Sequence, residues 1–61
     1  MNIKKMREKK DITQQELATV LGVSQSTVAM WETNNSLPRT EKLPAIAKAL
    51  GCTIDELLET E

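Results

Sequence analysis

The sequence predicts an all-α fold, a compact bundle of five short helices, and three observations carry that prediction. Its apolar residues step at intervals of three and four rather than two. Without Phe or Tyr, and with one Trp, the aromatic strand formers are nearly absent. Two Thr-x-x-Glu capping boxes and two glycines punctuate the chain at helical lengths. The 61 residues read as a single domain, 1–61, with no internal repeat or linker. A chain of this size buries only about 60% of its unfolded surface, which favours short, efficiently packed helices.

The helices are expected at about 2–10, 13–21, 24–34, 41–50 and 53–59. In the first, Ile3 and Met6 lie three apart and Asn2 is the expected N-cap. Thr13-Gln14-Gln15-Glu16 opens the second as a capping box, Leu17, Ala18 and Leu21 form its buried stripe, and Gly22 stops it. Ser24 caps the third, whose core side holds Val28 and Trp31. At about 100° per residue, Ser26, Ala29, Met30 and Thr33 point the opposite way, with Gln25 at the edge of that arc. Residues 33–38 are the longest turn-like cluster. Leu43, Ile46, Ala47 and Leu50 give the fourth helix its amphipathic pattern. Pro44 fits only its first turn, so the start lies between Glu41 and Pro44, and Gly51 ends it. Thr53-Ile54-Asp55-Glu56 is the second capping box, followed by Leu57 and Leu58.

Composition excludes several function classes. One cysteine, Cys52, cannot form an internal disulfide and reads as a small buried hydrophobe. With no histidine, four-ligand zinc sites are out of reach and Ser or Cys nucleophiles lack their commonest base. Two glycines cannot build a phosphate-cradling loop. Neither an enzyme nor a bound cofactor or metal is expected. No apolar run reaches membrane-span length, and Met1-Asn2-Ile3-Lys4-Lys5 leads into charge rather than a signal-peptide core, so a cytoplasmic, reducing location is expected.

The net charge of −1 speaks at first sight against nucleic acid. It hides an asymmetry: Lys4, Lys5, Arg7, Lys9 and Lys10 against Glu8 give residues 1–10 a local +4, and the rest of the chain carries −5. A basic run of this kind is also what an ordinary solvated helix face looks like.

Two helices joined by a turn as short as Gly22-Val23 must cross steeply, and they touch only where a small residue sits at the crossing. Ala18 is that residue. The pattern Gln14-x3-Ala18-x3-Gly22-Val23-x4-Val28-x2-Trp31 resembles the helix-turn-helix signature of the phage-repressor, Cro and Xre-type regulators. Met6-Arg7, Trp31-Glu32, Pro38, Ile46-Ala47-Lys48-Ala49-Leu50-Gly51 and Ile54-Asp55-Glu56-Leu57-Leu58 extend the likeness over essentially the whole chain. Two departures stand out. The loop after Glu32 reads Thr33-Asn34-Asn35-Ser36-Leu37 where the family usually has Asn-Gly and basic residues, and Ala29 and Met30 replace frequent polar residues.

The resemblance implies a lambda-repressor-like bundle that places its third helix in the major groove of double-stranded DNA. It implies that Gln25 hydrogen-bonds adenine; along the same exposed arc Ser26 can meet a base or a phosphate, Ala29 can meet a thymine methyl or simply leave room, and Met30 can meet a thymine methyl or pack against the loop. It implies phosphate contacts for Gln14 and Arg39, with Gln14 also bracing Gln25; Ser24 can cap its helix and also face a phosphate, and Thr33 is a weaker phosphate candidate. Arg7 and Glu32 are implied as a structural ion pair. The expected function is a sequence-specific transcriptional regulator, a repressor, acting as a homodimer on a palindromic operator. Leu37, Leu57 and Leu58 are the expected dimer contacts; no membrane partner and no small-molecule effector are expected. An antitoxin or restriction-system controller on the same fold is the alternative. A protein-interaction adaptor that does not read DNA is the alternative from another class.

Overall fold

The computed structural model describes residues 1–59. The helices are α1 (Ile3–Lys9), α2 (Gln14–Leu21), α3 (Gln25–Glu32), α4 (Leu43–Leu50) and α5 (Ile54–Leu58), with a 3-10 turn at Thr40–Lys42 leading into α4. No strand occurs among the described residues. The expectation for Pro44 holds, since it occupies the first turn of α4.

Both capping boxes close. Glu16 N–H donates to Thr13 Oγ1 at 3.0 Å and Thr13 N–H to Glu16 Oε1 at 2.9 Å. In the second box Glu56 N–H reaches Thr53 Oγ1 at 3.1 Å and Thr53 N–H reaches Glu56 Oε1 at 2.9 Å. Each box satisfies two backbone N–H groups, the cap's own and one in the first turn, for which the helix has no partner.

Helices α1 to α4 share one kind of C-terminal closure, in which a residue one position (α2, α4) or two positions (α1, α3) past the helix takes a left-handed conformation and the next N–H turns back onto the last turn. In α2 Gly22 sits at φ +71° and Val23 N–H donates to Ala18 O at 3.0 Å. In α4 Gly51 does the same, with Cys52 N–H on Ala47 O at 3.0 Å. Asp11 at φ 60° ends α1 and Asn34 at φ 62° ends α3, where Asn35 N–H donates to Met30 O at 2.9 Å. That reversal stops α3 at Glu32, short of the expected residue 34.

The core is Ile3, Leu17, Ala18, Val28, Trp31, Ile46, Ala47, Leu50 and Leu57. Ala18 is fully buried at the crossing of α2 and α3, which a larger side chain would force apart. Two expectations are corrected. Asn2 makes no side-chain cap bond. It is buried, its backbone N–H donates to Leu57 O at 2.8 Å, and its Oδ1 has no hydrogen-bond partner among the described residues, because the start of α1 is pressed against α5 instead of facing solvent. Leu57, expected at a dimer surface, is fully buried, and the exposed apolar side of α5 is Ile54 and Leu58.

Candidate nucleic-acid interface

The packing of α3 against α2 brings the first turns of both helices to one surface. Gln14, the first residue of α2, and Gln25, the first of α3, line a common cavity of about 370 Å³ with Arg7, Glu8, Asp11, Ile12, Thr13 and Gln15. Gln25 and Ser26 are exposed, Ala29 is half-buried, and Met30 is 41% exposed. This arc carries no formal charge. It offers a carboxamide, a hydroxyl and two apolar groups, a set suited to base edges more than to phosphates.

Arg7 and Glu32 meet beneath that surface. Arg7 Nε donates to Glu32 Oε2 at 2.7 Å and Nη2 to Oε1 at 3.3 Å, and the two side chains are only 12% and 3% exposed. The hydrogen bond to Glu32 raises the Arg7 guanidinium above its ordinary value, against the lowering effect of burial. Arg7 Nη1 also donates to the Ile12 carbonyl at 2.8 Å, tying down the turn between α1 and α2. Glu32 Oε1 accepts a further bond from Gln14 Nε2 at 2.9 Å. One carboxylate thus joins α1, α2 and α3. The bond from Gln14 to Glu32 spans 18 residues and no local spacing announces it. The nearest signal in the sequence is an acid on the core side of the third helix.

The remaining candidates are more exposed. Ser24 is the N-cap of α3, accepting from Thr27 N–H at 3.2 Å, and its Oγ lies 2.9 Å from Thr27 Oγ1. Thr33 Oγ1 donates back to the Ala29 and Met30 carbonyls at 3.0 and 3.3 Å, so its proton is already in use. Arg39 is 85% exposed and 4.0 Å from the Glu41 carboxylate, a surface pair of little energetic weight. Leu37 and Leu58 are 68% and 48% exposed. Of the basic run, Lys10 is folded over the end of α4, where its Nζ would stand 2.9 Å from a Cβ built at Gly51. The Cys52 thiol is pushed up by burial first and Glu56 second. Among the described residues no three acids or thiols cluster as metal ligands, and no helix is long and apolar enough to cross a membrane.

Comparison with known proteins places this geometry. A helix-turn-helix family model matches residues 3–57. The chain is 39% identical over 59 residues to the HTH-type transcriptional activator BcrR of Enterococcus faecalis, covering 97% of this chain and 29% of that protein. It is 39% identical over 57 residues to repressor protein C2 of Salmonella phage P22, covering 93% of this chain and 26% of that one. The chain therefore spans less than a third of the length of these curated relatives. Its structure matches that of the P22 c2 repressor in complex with a synthetic operator, with a TM-score of 0.86, 37% identity, and coverage of 97% of this chain and 89% of that chain. The five-helix bundle, the Gly22 turn and the matched span lead to one conclusion: the chain belongs to the helix-turn-helix family of phage-repressor, Cro and Xre-type regulators.

Proposed function

We propose that this chain reads double-stranded DNA by sequence and serves as a transcriptional regulator, a repressor that occludes polymerase at a palindromic operator. The observation that carries the reading is the uncharged, exposed start of α3, where Gln25 and Ser26 stand beside the first residue of α2. Gln25 hydrogen-bonds adenine at N7 and N6, Ser26 meets a neighbouring base, and Ala29 and Met30 meet thymine methyls. Ser24 and Arg39, with the backbone N–H groups at the start of α2, hold phosphates. Thr33 is the weakest phosphate candidate because its hydroxyl is bonded to α3. The relative that is solved with operator DNA supports this reading.

The working unit is a homodimer with half-sites about one helical turn apart. Its contacts are Leu58 and Leu37, with Ile54 in the place first expected of Leu57. So small an apolar surface gives weak association in the absence of DNA. Selection from random duplexes tests the proposal: wild type enriches a two-fold symmetric sequence, and failure to enrich any sequence at low salt rejects it in favour of a protein-interaction role.

A further inference from the structure

Three donors converge on the carboxylate of Glu32, and its chemistry decides which way one of them faces. It accepts from Arg7 Nε and Nη2 and, at 2.9 Å, from Gln14 Nε2. An ionised carboxylate only accepts. A free glutamine amide can turn over and exchange its oxygen for its NH2. Gln14 in the turned orientation would set oxygen against oxygen, with no hydrogen between them. Its Oε1 therefore stays on the side away from Glu32. Gln14 and Gln25 line the same cavity, so the atom Gln14 leaves for a neighbour there is an acceptor.

We propose that Glu32 is a positioning residue for base recognition: by holding the Gln14 amide in one orientation, it fixes the order in which Gln25 presents donor and acceptor to a base. This inference rests on the DNA-reading function proposed above. Gln25 turns one N–H to Gln14 Oε1, and its second N–H and its oxygen then share the opposite edge. That edge donates to adenine N7 and accepts from the N6 amino group. The turned amide would set oxygen against N7 and NH2 against the amino group, losing both bonds. Arg7 acts one step further back, by holding the Glu32 carboxylate in place.

Glu32→Ala alone would strand Arg7, so the test uses two proteins: Arg7→Met with Glu32→Leu, which removes the carboxylate without leaving a buried charge, and Gln14→Met, which keeps side-chain length, removes the amide and leaves Arg7 on Glu32. Binding is measured to the palindrome that wild type enriches and to duplexes altered at the A·T pair that Gln25 reads. Both proteins are expected to lose about tenfold in discrimination at that pair, with circular dichroism melts showing that each is folded at the binding temperature. Adding Gln25→Ala should then cost little more. If the Arg7→Met, Glu32→Leu protein keeps wild-type discrimination, if Gln14→Met weakens all duplexes by one common factor, or if Gln14→Met and Gln25→Ala act additively, the proposal is wrong. If wild type enriches no sequence, the DNA-reading function itself fails, and this inference with it.

Discussion

Replacing Arg7 by Ala removes three hydrogen bonds at once, those from Nε and Nη2 to Glu32 and from Nη1 to the Ile12 carbonyl. It leaves a carboxylate that is 3% exposed with Gln14 as its remaining side-chain donor. Stranding one member of a buried pair costs about 3–5 kcal/mol, and the 12% exposure of Arg7 puts this case toward the lower end, at about 3 kcal/mol. A domain of this size has about 3–9 kcal/mol of total stability. In a domain of this size each kcal/mol moves the melting temperature by about 4–8 °C, so Arg7→Ala should melt roughly 12–24 °C below wild type. Circular dichroism melts and urea titrations measure this. The double variant Arg7→Met with Glu32→Leu should recover much of the loss, because no charge is then left buried. The hydrogen bond to Glu32 raises the Arg7 guanidinium, which sets the sign of any pH effect: its contribution is complete below the ordinary guanidinium range and fades only as pH rises through the raised value. The Arg7 effect should therefore not titrate away through neutral pH. An Arg7→Ala protein melting within a degree or two of wild type would refute the reasoning and make the pair a solvated surface contact.

The left-handed positions give an opposed pair of predictions. Asn34→Gly, at φ 62°, should stabilise by about 0.5–1 kcal/mol, and Gly22→Ala, at φ +71°, should destabilise by about 1 kcal/mol. No atom lies within 4 Å of a Cβ at Gly22, so that cost is conformational alone, and equal melts for Gly22→Ala and wild type would reject the account of the turn. Asn2→Ala, which removes an Oδ1 with no partner among the described residues, should leave urea stability unchanged or raised, since the Asn2 backbone bond to Leu57 remains; a loss above about 1 kcal/mol would mean that Oδ1 has a partner. The backbone and hydroxyl bonds of Thr53 hold Glu56 below its ordinary value of 4.5, so its contribution is full above that pH and is lost as pH falls through the depressed value. Glu56→Gln keeps the box and should flatten the acid limb of the stability curve, whereas an unchanged limb would assign it to other carboxylates.

Local chemistry was legible and long-range chemistry was not. The Thr13 and Thr53 boxes, the Gly22 and Gly51 stops and the place of Pro44 each follow from residues within four positions of one another, and each closes as read. Asn2 has good N-cap chemistry, but docking against α5 overrides it. Leu57 and Leu58 are adjacent on a five-residue helix, too short for periodicity to say which one faces the core. Asn34, read only as part of a turn cluster, ends α3 by taking the left-handed conformation more often seen at glycine. In the candidate site, the exposed arc of α3 came from 3.6-residue geometry, and the pairing of Arg7 with Glu32 came from resemblance. The bond from Gln14 to Glu32 is a tertiary contact between two helices, and only the fold brings its ends together.

The central claim is that the start of α3 reads bases while Arg39 only anchors the backbone. Binding profiles over a set of operator duplexes at several salt concentrations, for wild type, Gln25→Ala and Arg39→Ala, separate the two roles. Gln25→Ala should lose about 1–3 kcal/mol of preference at one base pair per half-site and keep the wild-type salt slope. Arg39→Ala should weaken all duplexes alike and lower the slope by about one per subunit. Gln25→Ala with an unaltered sequence profile would contradict the claim that α3 reads the sequence.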